Sequence, residues 1–180
     1  MASPPQSLAD VVSDYWRDHR PRAEREFAYW ANRAGQGRFI REAVLSKASN
    51  GKRHPHQRRI PAQVLQCAAD TLARHGIPAC HSFRDLHRAV GDRIGDIHGI
   101  GELAVYDIAC RIGASLGLAP EHVYLHAGTR KGARALGLRG TTVHKNDLPP
   151  EFHRLSPAEI EDCLCIYKAQ IRRMAAASRI

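Results

Sequence analysis

The stretch Ile94-Gly-Asp-Ile-His-Gly-Ile-Gly-Glu-Leu-Ala-Val-Tyr-Asp-Ile-Ala109 decides how this chain is read. Gly99, Ile100 and Gly101 can make a tight connection, because glycine tolerates positive φ and leaves no Cβ in the way. Ile100 between the two glycines can plug into a core and fix the turn. Ile97 before the turn, and Val105, Ile108 and Ile112 after it, supply apolar faces for two packed helices. The second helix starts directly after Gly101. Its first N–H groups and its positive dipole end therefore meet at the turn, which suits an anion such as a backbone phosphate. The competing explanation is an ordinary glycine-rich helix turn, since short Gly-x-Gly strings are common.

Working outward, the chain reads as helices separated by Gly, Pro and Ser, with no convincing alternating strand. Ser7 can cap a helix from Leu8 towards Asp18, with Leu8, Val11, Val12 and Tyr15 on one face. A second helix is expected over Ala23–Arg33, broken by Gly35 and Gly37. Phe39–Leu45 restarts the pattern and runs into the polar loop Ser46–Arg59. Pro61 suits a first helical turn, Val64, Leu65, Ala68 and Leu72 form a stripe, and Gly76 stops it. Ser82 is expected to cap Phe83–Val90, ended by Gly91. Thr129–Leu136 is read as a short helix closed by Gly137, and Leu138–Leu155 as loop. Ser156, Pro157 and Glu159 spell a capping box for one last helix, with Ile160, Leu164, Tyr167 and Ile171 on its apolar face. Its basic end, with Lys168, Arg172, Arg173 and Arg179, complements the helix dipole. The expectation is an all-α fold: one compact multi-helix domain over residues 1–180. Within it, 1–38 completes the core, 39–138 carries the hairpin, and 139–180 supplies a loop and the last helix.

Charge narrows the partners. The 180 residues carry a formal charge of +9 and a pI near 9.8. Basic side chains displace the counterions condensed on phosphates, so this balance favours a polyanion. The bases are also grouped. From Ala43 to Ala69 there is no acid, against Lys47, Lys52, Arg53, Arg58 and Arg59. From His122 to Asn146 acids are again absent, against Arg130, Lys131, Arg134, Arg139 and Lys145. The segment between carries Asp85, Asp92, Asp96, Glu102 and Asp107. Two acid-free segments flanking the hairpin look like an electrostatic face; solvated basic loops are the plainer alternative.

No apolar stretch approaches the roughly 20 residues a membrane span needs. Met1–Ser7 lacks the charged start and apolar run of a signal peptide. Cys67, Cys80, Cys110, Cys163 and Cys165 form an odd, scattered set without a CxxC pair, and are read as reduced thiols packed in helices. His54 and His56 in His-Pro-His can ligate a metal, but neither a carboxylate nor a cysteine stands near them in the sequence, so no metal and no cofactor is expected.

The order of these elements resembles the helix-hairpin-helix DNA glycosylase superfamily. The hairpin is similar to its consensus, with His98 in place of the usual Pro and Ala104 or Val105 at the small position. Phe39–Ser46 resembles the family's early helix and the Leu-Ser that enters a loop meeting the DNA minor groove. His122-Val-Tyr-Leu-His126, followed by Arg130 and Arg134-Ala-Leu-Gly-Leu138, resembles a later block of that family. The likeness spans about Phe39 to Leu138. It implies double-stranded DNA as partner, extrusion of a damaged or modified base, and hydrolysis of its N-glycosidic bond without metal.

The departures concern chemistry. The family's Asp, just before its last helix, falls where this chain has Tyr124, Leu125 and His126. The lyase Lys falls at Leu103, and the iron–sulfur cysteines are missing. His126 is therefore the candidate general base, with Glu121 as the nearest carboxylate and Asp107 on the hairpin helix as a further one. A capping or phosphate-contacting imidazole is the alternative for His126. DNA contacts are expected from His98, Gly99, Gly101 and Glu102 at the hairpin and from Lys47, Asn50, Lys52, Arg53, His54, His56, Gln57, Arg58 and Arg59 in the polar loop. Gly128, Thr129, Arg130 and Lys131 are expected to form a second anion site. The implied protein is a cytoplasmic, nucleoid-associated monomer without a membrane, acting in repair or phage defence. Two other readings stay open: a non-catalytic module of this fold that recognises DNA structure, and an RNA-binding or toxin-like helical protein.

Overall fold

The computed structural model describes residues 5–33, 38–47 and 50–177, and it is mainly helical. Gly35 and Gly37, expected to break the second helix, lie outside the described residues, as do Arg179 and most of Met1–Ser7. Among the described residues no helix is long and apolar enough to cross a membrane. Contacts gather the chain into two units, Glu24–Ala119 and Met1–Ala23 with Pro120–Ile180. The boundary at Ala23 falls inside α2 (Arg20–Ala31), which starts earlier than expected.

The unit Glu24–Ala119 holds α3 (Phe39–Leu45), α4 (Ala62–His75), α5 (Phe83–Ile94) and α6 (Glu102–Leu116). Pro61 stands one position ahead of α4, and Gly76, at φ +68, stops it. The Ser82 side chain accepts from Asp85 N and caps α5. Gly91 was expected to end this helix, but α5 runs on to Ile94. Leu86, Val90 and Ile94, four residues apart, are all buried, and that stripe outweighs the roughly 1 kcal/mol a helical glycine costs. α5 packs against α6, and α3 against α4. Leu65, Leu72, Phe83, Leu86, Ile108 and Ile112 are wholly buried.

The other unit holds α1 (Leu8–Asp18), β1 (Val123–Tyr124), α7 (Ala127–Ala135), β2 (Thr142–Val143), α8 (Pro157–Ile166) and α9 (Lys168–Ala177). Ser7 and Asp10 close a capping box on α1, and Ser156 with Glu159 closes another on α8. Val11, Val12, Tyr15, Leu125, Phe152, Leu155, Ile160 and Leu164 form its core. Two expectations are corrected here. The segment 138–155 is not plain loop, because β2 and the 3-10 turns Lys145–Asp147 and Pro150–Arg154 order it. β2 pairs antiparallel with β1, Val123 opposite Val143; strands of two residues are too short to show alternation in a sequence. The final helix is also two helices, α8 and α9, meeting at Tyr167. Lys168 therefore begins a helix instead of closing one, and its Nζ donates to Cys165 O at 2.7 Å, an α8 terminal carbonyl.

α7 and α8 touch at backbone distance. A Cβ on Gly132 would lie 2.4 Å from Leu164 O. Gly132→Val is therefore expected to lower stability by about 2–3 kcal/mol or more, read as a fall in the urea midpoint. An unchanged midpoint would show that the two helices do not approach so closely.

Candidate functional site

The connection from α5 to α6 is a tight one. Ile97 N donates to Ile94 O at 3.1 Å and Ile100 N to Ile97 O at 2.9 Å. Gly99 sits at φ +95, and a Cβ there would also press on Val64 Cγ1 at 3.4 Å. Ile100 is buried, as its place between the glycines suggests. Gly101 is different: its backbone is extended, and a Cβ there would meet nothing within 4 Å. It is the N-cap of α6, and no side chain caps that end. His98, Gly99, Gly101 and Glu102 are all exposed. The turn thus presents an α-helical N-terminus of a 15-residue helix at the surface, with the Glu102 carboxylate in its first turn.

The polar loop is folded onto α6 by one side chain. Arg111, buried on α6, donates from Nη1 to Ala43 O and to Ser46 Oγ, both at 3.1 Å, and from Nη2 to Gln57 Oε1 at 2.8 Å. Ser46 ends α3 in the left-handed region, at φ 59, and its carbonyl accepts from His54 N at 2.8 Å. Lys47 and Arg53 form an isolated antiparallel bridge, and Arg53 Nη1 reaches Ile60 O at 2.9 Å. The loop is therefore a closed structure, with Lys47, Asn50, Lys52, Arg58 and Arg59 exposed on it. Asn50 uses its side chain locally, accepting from Lys52 N at 3.0 Å.

Gln57 then hands the contact to Asp107. Its Nε2 donates to Asp107 Oδ2, the same oxygen that lies 3.2 Å from His56 Nδ1. Gln57 was expected to reach base edges. It is buried, and both ends of its amide are engaged inside the protein. Burial by itself would raise the Asp107 carboxyl; the His56 hydrogen bond and the charge of Arg111 outweigh it and hold the group below the usual carboxylate range. His54 moves the other way for an imidazole: burial, then Arg111, depress it to about 4, opposed by Asp107. At neutral pH the cluster contains an ionised carboxylate and a neutral His54.

The second expected site lies in the other unit. His126 is the N-cap residue of α7, but its side chain makes no cap hydrogen bond and is buried. Its carboxylate neighbour is Glu161 of α8, with Nε2 and Oε1 3.6 Å apart, and Thr129 Oγ1 donates to that same oxygen. Glu121, expected in this role, is exposed. Thr129, expected to meet an anion, is wholly buried in the first turn of α7. Gly128 lies in α7, and a Cβ on it would lie 2.6 Å from Cys165 Sγ. Arg130 Nε is turned to Leu125 O at 3.0 Å, leaving Lys131 as the exposed cation.

No family model, no curated protein and no solved structure matches this chain.

Arg111→Met leaves Asp107 half-buried without its nearest permanent cation and releases the loop. A loss of roughly 3–5 kcal/mol is expected in denaturant unfolding; a loss below about 1 kcal/mol would show that the guanidinium does not anchor the loop. The depressed His54 also sets a pH slope. Below about 6.5 the unfolded chain protonates this imidazole, whereas the folded chain resists until about 4. Stability present above that window is lost as the pH falls through it, by roughly 3 kcal/mol in all. His54→Asn should flatten this slope, while His87, also lowered by burial, keeps its own part. The same slope in the variant would mean that His54 is not buried in its neutral form.

Proposed function

We propose that the chain binds double-stranded DNA through the α5–α6 turn and excises a damaged or modified base by N-glycosidic hydrolysis, as the resemblance to helix-hairpin-helix DNA glycosylases implies. The observation that carries this reading is the Asp107 cluster. An ionised carboxylate on the very helix whose N-terminus opens at a Gly-Ile-Gly turn meets two imidazoles of a loop free of acids. The first N–H groups of α6 suit a backbone phosphate, and the exposed lysines and arginines of the loop add sequence-independent attraction. The scissile bond is inaccessible in stacked DNA, so the base must be extruded first. In hydrolysis the C1′–N bond breaks, the water oxygen joins C1′, its proton passes to an acceptor, and the base leaves with a proton. Asp107 supplies the negative charge, and it and His56 supply the proton acceptors for that water.

His126 and Glu161 are the rival for the chemistry, and burial counts against them as groups that touch substrate. Purified protein incubated with duplexes carrying damaged or modified bases, including modified cytosines, is expected to release base and leave abasic sites. Asp107→Asn should cut release by about a hundredfold or more with DNA affinity kept, and His126→Gln should not. The reverse pattern moves the chemistry to His126 and Glu161. Tight binding with no release across the panel would make the chain a recognition module, and strong preference for RNA at fixed salt would end the reading.

The turn has its own test. Gly101 needs no special backbone angle and has open space where a Cβ would stand. Gly101→Val is therefore expected to keep the helix content and the unfolding midpoint while abolishing DNA binding. Unchanged affinity would rule out the N-terminus of α6 as the phosphate contact.

A further inference from the structure

His54, His56 and Asp107 present one ligand atom each within 4.8 Å of one another. The two histidines flank Pro55, which holds His54 extended and starts the 3-10 turn Pro55–Gln57, so the rings meet edge to face with centroids 5.2 Å apart. The carboxylate comes from α6, 51 positions further along the chain from His56. Two details are those of a ligand set. His54 Nδ1 is buried and has no hydrogen-bond partner, an arrangement that costs about 1–3 kcal/mol unless something else takes the lone pair. Asp107 is oriented from outside the cluster: Gln57 holds its Oδ2, and Arg111 holds Gln57. Ligands to bound ions are commonly braced in this way by a further shell of hydrogen bonds.

We propose that His54, His56 and Asp107 form a binding site for a divalent transition-metal ion of the zinc, cobalt or iron(II) class. Two nitrogens and one oxygen make a borderline donor set. A single carboxylate beside the Arg111 cation offers too little negative charge for magnesium or calcium, which are held by several oxygens. Donors at tetrahedral metal–ligand distances stand about 3.3 Å apart. His56 and Asp107 already do, at 3.2 Å. The donor atom of His54 lies within 4.8 Å of both. Three protein ligands leave a coordination position for water, the arrangement of a site that works on a substrate.

The inference concerns the cluster named above but does not require that it cleave DNA. The metal-free full-length protein, titrated with Co2+ and followed by its visible ligand-field bands, is expected to take up one ion per chain, displaced by Zn2+ and not by excess Mg2+. His54→Ala, His56→Ala and Asp107→Asn should each weaken Co2+ binding at least tenfold, and Gln57→Ala roughly tenfold through the lost bracing. His98→Ala and His122→Ala should leave it unchanged. Far-ultraviolet circular dichroism checks each fold, and His56→Ala removes an exposed side chain, so that variant reads the site even where Asp107→Asn does not fold. Absence of the bands, or equal affinity in His56→Ala and the parent chain, overturns the proposal. Affinity is read without DNA, so its failure leaves base excision standing. Absent base release with intact Co2+ binding leaves the ion site standing.

Discussion

Arg111 is the interaction on which the described geometry of unit Glu24–Ala119 depends. One buried guanidinium satisfies the carbonyl of Ala43 near the end of α3, the Ser46 hydroxyl that starts the loop, and the Gln57 amide that ends its 3-10 turn. A guanidinium can do this because its donors lie in a fixed planar fork; an ammonium has no such geometry. Asp107 stands one turn back on the same helix and opposes the cost of burying the cation. Neither charge would be stable there alone. The pair is what lets a polar loop lie on an apolar helix.

That arrangement also explains why the cluster is ordered without being sealed. Gln57 is buried and immobilised between Arg111 and Asp107, whereas His56, its neighbour in sequence, is exposed. The 3-10 turn places consecutive side chains on different sides, so one residue serves the anchor and the next faces outward. Arg53 and Asn50 tie the loop to itself. Arg58 Nε also reaches Arg53 O at 3.4 Å, so the loop holds itself together while Lys52 and Arg59 stay exposed.

Much of the fold was legible in the sequence and much of the site was not. The caps at Ser7, Ser82 and Ser156 act over three residues, and the stop at Gly76 is a property of one residue, so all four are local statements. The helix break expected at Gly91 was overridden because the deciding term was burial of Val90 and Ile94 against another helix, which no local rule contains. Of the two turn glycines only Gly99 is required by the backbone; the sequence does not distinguish a glycine needed for its φ from one that leaves space empty. His54 and His56 were seen as ligands lacking a carboxylate. Asp107 supplies it from α6, and Arg111 and Gln57 organise it, through contacts spanning 50 or more positions. Glu161 was missed as the neighbour of His126 for a similar reason, although an acid among Ile160, Cys163 and Leu164 on a buried face is a signal that a buried partner exists.

The placement of the two acids on α6 bears on the proposed DNA contact. Glu102 is exposed in the first turn, where it interacts favourably with the helix dipole, and an approaching phosphate must compete with it. Asp107 lies deeper, and its charge is already met by Arg111, His56 and the Gln57 amide, so it presents far less field to a polyanion than a bare surface carboxylate does. A carboxylate can stand beside a phosphate-binding surface only where its charge is compensated locally. A divalent ion held by His54, His56 and Asp107 would complete that compensation and reverse its sign, turning an acidic spot into a point of attraction for the backbone of the proposed DNA partner.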